Sequence, residues 1–163
     1  MEASSSNARK QRDANAELGQ LAEAMVVEWL KQQGWQVLGQ RWHCRWGEID
    51  VVAVQPAIAP QPDSTLVFVE VKARGDRNWD GAGLLAVTPQ KQAKLLRAAS
   101  MFLAEHPQFE NLPCRFDVAL VRGQKLSHVV APPSANQALN LNQPIIIAPY
   151  RLTLQHYLVA AFE

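Results

Sequence analysis

The run Leu66-Val67-Phe68-Val69-Glu70-Val71-Lys72 constrains the fold more than any other stretch of this chain. Its density of branched and aromatic residues is a strong strand signal. An exposed edge strand would alternate apolar with polar positions, yet here four apolar residues precede the first charge. The charges that follow are therefore not ordinary solubilising residues. Alternate side chains share a face of a strand, so Glu70 and Lys72 point one way and Val71 the other.

The rest of the chain arranges itself around that strand. From about Asp13 to Gln33 the spacing is helical: Leu18, Leu21, Ala22, Met25 and Trp29 fall on one stripe, and Gly34 supplies a stop. Residues 1–12 are small, polar and basic and read as a disordered tail. Two short apolar segments follow, Trp35–Leu38 and Ile49–Val54. The proline-rich run Gln55–Thr65 separates the second from Leu66–Val71, so the two strands are expected to pair as neighbours. Residues 73–87 read as a loop. Thr88-Pro89 marks a helix start, because threonine suits the N-cap and proline's fixed φ suits the first helical position. That helix should end near Glu105, before Pro107, and Phe116–Val121 is a further strand. Ala131–Pro149 contains four prolines and reads as an insertion or long loop in which Ile145–Ile147 forms a short strand. From Asp13 to Glu163 the order predicts a single α/β or α+β domain with a mixed sheet.

A hydrophobic fraction of 48% over 163 residues is enough for one core. The net charge of +1 neither favours nor excludes a polyanionic partner, so local charge must decide. Cys44 and Cys114 are too few for a disulfide framework, no secretory leader is legible, and no apolar stretch approaches the ~20 residues needed to span a bilayer. A cytoplasmic protein with no membrane partner is expected. Zinc is disfavoured, since Cys44, His43 and Cys114 match no tight ligand spacing.

The chemistry is concentrated in Gly47-Glu48-Ile49-Asp50 and Glu70-Val71-Lys72. Two carboxylates and an ammonium at the ends of apolar strands are costly to bury unless they are paired or hold a metal. Hard oxygen ligands suit Mg²⁺ or Mn²⁺, which bind through one or two carboxylates plus phosphate and water. Asp50 and Glu70 are the candidate ligands. Lys72 is placed to orient a water or to stabilise charge developing on a phosphate, which is the equipment for phosphodiester hydrolysis.

The segments WHCRWGEIDVVAV, LVFVEVKAR, AVTPQKQAKLLRAASMFL and CRFDVALV, in that order, resemble the YraN family of predicted nucleases. That family is similar to Holliday-junction resolvases of the restriction-endonuclease-like superfamily. The similarity covers about residues 15–122, and the closing HYLVAAFE resembles the family's terminus. It implies a restriction-endonuclease-like core, a mixed sheet flanked by helices, acting as a Mg²⁺-dependent endonuclease on structured or branched DNA, with a homodimer as the analogous assembly. Asp50 and Glu70 match the metal-binding carboxylates and Lys72 the catalytic lysine. Glu23 matches an additional acidic residue of the resolvase-like branch. Periodicity alone does not choose between Glu23 and Glu28, which lie at opposite borders of the apolar arc. The chain departs from the family pattern at Arg41, where asparagine is common, and in the longer segment 131–149.

Secondary candidates surround this set. Lys91 lies within the apolar arc of the second helix near its N-terminus, and either snorkels or reaches a phosphate. Gln92 is its better-placed companion. Arg74, Arg77 and Trp79 follow the lysine in a glycine-containing loop, where basic residues with an aromatic suit nucleic acid. Arg41, His43 and Arg45 form a second basic cluster able to contact phosphates. Glu48 shares Asp50's face in extended structure and can either support the ligands or cap a neighbouring backbone. Asp117, inside a strand, is expected to have a structural role. A non-catalytic nucleic-acid-binding module and a partner-binding scaffold working through the proline-rich segment are the competing readings.

Overall fold

The computed structural model describes residues 2–60, 63–75, 87–128 and 137–162, with side chains from residue 6 onward. The elements are α1 (Glu2–Gln32), β1 (Gln36–Cys44), β2 (Gly47–Gln55), β3 (Thr65–Gly75), α2 (Pro89–Glu105), a 3-10 turn (Pro107–Phe109), β4 (Cys114–Lys125), β5 (Pro144–Ile147) and β6 (Tyr150–Phe162). The six strands form one mixed sheet in the order β1-β2-β3-β4-β6-β5. β3 and β4 are parallel, joined by a crossover that contains α2, and every other pairing is antiparallel.

The two helices cover opposite faces. Leu18, Ala22, Met25, Val26 and Leu30 of α1 pack on Val67 and Val69 of β3 and on Val51, Ala119, Val121, Leu152 and Leu154. Leu95, Ala98, Ala99 and Phe102 of α2 pack on Leu66 and Phe68 of β3 and on Ile49, Val52 and Phe116. β3 is thus buried on both faces, which is why its sequence is apolar without alternation. Burying a side chain such as Phe68 stabilises the fold by roughly 1.5–3 kcal/mol. The arrangement is a mixed α/β sheet flanked by helices, consistent with a restriction-endonuclease-like core.

α1 begins at Glu2, upstream of the Asp13 start marked by its apolar stripe, so the stretch read as a disordered tail is helical from Glu2 onward. Residues 6–13 are exposed and bury nothing. Apolar periodicity therefore carries no trace of them, and helix propagation from an established segment adds one bond per residue fixed. Gly34, at φ 81°, ends the helix as expected. α2 starts where the Thr-Pro pair places it: Thr88 Oγ1 accepts the Lys91 amide at 3.2 Å. β3 runs on to Gly75, into the stretch read as a loop, and residues 76–86 lie outside the described part.

The proline-rich segment is not a plain loop in its described portion. Residues 131–136 lie outside the described set, but Leu139 is buried in the α1-side core and its amide donates to Gln32 Oε1 at 2.8 Å. β5 follows, and β6, which the strand pattern did not announce, fills the gap between β4 and β5. Asp117 has the structural role expected. Fully buried, it accepts from Arg115 Nε at 2.9 Å, the Tyr157 hydroxyl at 2.9 Å and the Ala160 amide at 2.9 Å, tying β6 to β4. Among the described residues no helix is long and apolar enough to cross a membrane.

Candidate active site

The site begins where two strands part. β2 and β3 pair from Gln55↔Thr65 to Val51↔Val69, and the ladder ends there. The Val71 amide donates instead to the Asp50 side chain, with N to Oδ2 at 2.7 Å. Ile49 packs on the α2 side while Val51 packs on the α1 side, so the alternation of β2 changes step at Asp50. The aspartate carboxylate thus takes a strand amide that a longer ladder would give to a backbone carbonyl. Across on β1, Arg41 lies between the pairs Gln40↔Val51 and Trp42↔Ile49 with φ 49°. A left-handed conformation at a non-glycine residue costs on the order of 1 kcal/mol, strain located beside the carboxylates.

On the other arm of the fork, Glu70 is almost wholly buried. Lys72 Nζ stands 2.7 Å from its Oε1, and Lys91 Nζ, from the first turn of α2, stands 3.3 Å from its Oε2. Oε2 nevertheless receives no hydrogen bond, because the Lys91 contact lacks the geometry of one. Two lysines compensating one buried carboxylate explain how the charge is tolerated at the end of an apolar strand. The unsatisfied oxygen is what a ligand would complete.

The α1 side contributes more acid. Carboxylate oxygens of Glu23, Glu48 and Asp50 lie within 4.8 Å of one another. Arg41 Nε bridges two of these residues, 2.8 Å from Glu23 Oε2 and 3.3 Å from Glu48 Oε1. His43 Nε2 is 3.0 Å from Glu48 Oε2, and its Nδ1 faces the Arg41 carbonyl. The three carboxylates Glu23, Glu48 and Asp50 therefore share one guanidinium, that of Arg41, while Lys72 and Lys91 are paired with Glu70.

The electrostatics register that imbalance. Burial pushes the Asp50 carboxyl up to about 7, and the negative charges of Glu70 and then Glu23 push in the same direction. The Val71 amide and Lys91 oppose the rise. Glu23 is also raised, first by burial, with Arg41 opposing and Glu48 and Glu70 adding to the rise. A divalent cation relieves such crowding by favouring the ionised carboxylates. The donors are all hard oxygens, and the residues present fit Mg²⁺ or Mn²⁺.

The remaining sequence candidates divide. Glu23, Glu48 and Asp50 come together as one acidic group, whereas Glu70 stands outside it, held by Lys72 and Lys91, and acts on Asp50 and Glu23 through its charge. Arg41 and His43 differ from the phosphate-contact expectation: both are engaged by site carboxylates, because their stretch of β1 faces Glu23 and Glu48. Gln92 is directed away from the carboxylates, its Nε2 donating to the Val87 carbonyl at 3.1 Å and so bracing the start of α2. Arg74 is exposed near the end of β3, Arg45 is exposed at the β1–β2 turn, and Arg77 and Trp79 lie outside the described residues. The Arg41 and His43 pairings with acids escaped sequence reasoning, although the register His43↔Glu48 follows from the tight Arg45-Trp46 turn once the hairpin is recognised.

Comparison with known proteins places these residues in a wider group. The family model described as "Uncharacterised protein family UPF0102" matches residues 22–121, a span that holds all seven charged residues of the cluster. A UPF0102 protein of Acaryochloris marina is 44% identical over 157 residues, covering 91% of each chain. One from Trichodesmium erythraeum is 41% identical over 160 residues, covering 88% of this chain and 87% of its own. Another, from a Synechocystis strain, is 43% identical over 152 residues, covering 90% and 97%.

Proposed function

We propose that this chain, which belongs to the UPF0102 family, also called YraN, is a metal-dependent endonuclease that hydrolyses phosphodiester bonds in DNA. The observation that carries this reading is the fork itself: Asp50, the buried Glu70 and the half-buried Lys72 at the parting of β2 and β3, beside an acidic cluster short of positive charge. A preference for structured or branched substrates is supported by the resemblance to Holliday-junction resolvases.

Asp50 and Glu70, with Glu23 and Glu48 beside them, would hold Mg²⁺ or Mn²⁺. The ion would neutralise the scissile phosphate and make a water a stronger acid. The protein's own residues supply the remaining functions. Asp50 is fixed by the Val71 amide, which leaves its carboxylate little freedom to turn. Glu70 holds Lys72 Nζ at 2.7 Å, so the ammonium is positioned before substrate arrives. There it orients the attacking water and stabilises negative charge as that charge grows on the phosphate oxygens. Lys91 holds the second oxygen of Glu70 from the helix side and limits its swing.

The test is incubation with linear, flapped and four-way DNA, with and without Mg²⁺ or Mn²⁺. Metal-dependent cleavage by the wild type that is absent in Asp50→Asn and Lys72→Ala supports the reading. Binding without cleavage under either metal replaces it with the non-catalytic binding module.

A further inference from the structure

The β1–β2 hairpin turns through Arg45 and Trp46, one strand pair beyond the contact of His43 with Glu48. Two guanidiniums gather on that one indole: Arg45 Cζ lies 5.2 Å from the ring centroid, and Arg97 Cζ, arriving from α2, lies 4.6 Å from it. Both arginines are exposed while Trp46 is half-buried. Neither forms an ion pair among the described residues, unlike Arg41 and Arg115, each of which is held by a carboxylate. Stacking on an aromatic face fixes a guanidinium while leaving its in-plane N–H donors free. Collecting two like charges on one ring without a neighbouring acid is unfavourable until an anion joins them.

The position relative to the fork selects the anion. Lys91 on α2 touches Glu70, and Arg97 is six residues further along the same helix. At 1.5 Å per residue that is about 9 Å along the axis. Successive phosphates of one duplex strand rise about 3.4 Å along the duplex axis and lie further apart than that through space, so the arginine pair stands within a few nucleotides of a phosphate seated at the fork. Lys94, exposed on the intervening turn of α2, leaves the path between them basic.

We infer that Arg45, Trp46 and Arg97 form a clamp for the DNA backbone within a few nucleotides of the scissile bond, the indole serving to hold both guanidiniums ready. The inference rests on the nuclease reading for the identity of the polyanion. It is tested by fluorescence anisotropy on a labelled DNA that the wild type cleaves, measured in EDTA so that no cleavage occurs. The double variant Arg45→Ala/Arg97→Ala should bind at least about tenfold more weakly, with a salt slope smaller by about two. Trp46→Leu, which changes no charge, should also bind several-fold more weakly, whereas Lys31→Ala, at the far end of α1, should bind within twofold of wild type. Replacing the phosphates within a few nucleotides of the mapped cut with methylphosphonates, one at a time, should weaken the wild type at one or more of these positions and leave the double variant unaffected at the same positions. If the wild type binds and cleaves while the double variant binds equally with the same salt slope, the clamp is overturned and the nuclease reading stands. If Trp46→Leu binds as wild type, the indole does not hold the clamp and the inference fails in that form. If the wild type neither binds nor cleaves, both readings fall together.

Discussion

Replacing Asp50 by asparagine should make the metal-free protein more stable at pH 8, even though it removes a residue from the centre of the site. The Asp50 carboxyl is raised from its ordinary 3.8 to about 7 by burial and by the neighbouring carboxylates. Between those values the native protein binds more protons than the unfolded chain, so stability falls as pH rises from about 4 to 7, and above pH 7 the penalty is complete. A difference of about three pKa units at 1.36 kcal/mol each gives an upper limit of about 4 kcal/mol. Asp50 is only partly buried, so solvent screening discounts that limit, and we expect the Asp50→Asn variant to gain roughly 2–3 kcal/mol at pH 8. Its amide carbonyl can still accept from the Val71 N–H, which keeps the fork closed. The assay is urea denaturation of both proteins in EDTA at pH 4.5, 6 and 8. The advantage of the Asp50→Asn variant should be small at pH 4.5 and grow steadily with pH. Adding Mg²⁺ at pH 8 should then stabilise the wild type and leave the variant unmoved, by about 2.7 kcal/mol at a hundredfold excess over Kd. A variant less stable than wild type at pH 8, or a difference flat across pH, would refute the argument that the carboxylates crowd one another.

Three further outcomes follow from particular contacts. Lys72→Ala should bind DNA nearly normally yet lose cleavage more than a hundredfold, since losing about 3 kcal/mol of transition-state stabilisation has that effect; single-turnover rates beside anisotropy would separate the two. Phe68→Ala, at a side chain 1% exposed and stacked on Phe116 at 5.3 Å, should cost about 3–5 kcal/mol in chemical denaturation. Asp117→Ala strands Arg115 and the Tyr157 hydroxyl together, so it should cost about 3–5 kcal/mol while leaving Mg²⁺ titration of the remaining folded protein unchanged.

How much of this could be read from residues alone varies with the physics involved. β3 and α2 were legible because a doubly covered strand and a Thr-Pro helix start leave local signatures. The convergence of Glu70 and Lys72 follows from strand alternation, and their 2.7 Å contact needs nothing more. Asp50 illustrates the limit. Alternation predicts a face for its side chain, but the carboxylate lies in the gap between strands because β2 changes step there, a property of the β2–β3 pair that neither segment encodes alone. Arg41 and His43 are basic residues near basic residues in sequence, and only the hairpin register brings them against Glu23 and Glu48. β6 did carry a signal, since Tyr150, Leu152 and Leu154 alternate and are all buried. Flanking prolines upstream and the polar Gln155-His156 pair obscured it. Residues 6–13 of α1 bury no apolar stripe, so their helicity rests on backbone propagation and leaves no pattern to detect.

The bond from Val71 to Asp50 makes one backbone amide answer for the state of the whole fork. Elsewhere in β3 an amide's exchange with solvent measures the separation of strands, as at Val69, whose partner is Val51. Val71 is tethered to a carboxylate whose proton affinity lies near neutrality. Its proton chemical shift and exchange rate must therefore follow whether that carboxylate is protonated, ionised or coordinated. In a valine-labelled sample a single resonance would act as an internal gauge of occupancy, readable without substrate and without turnover.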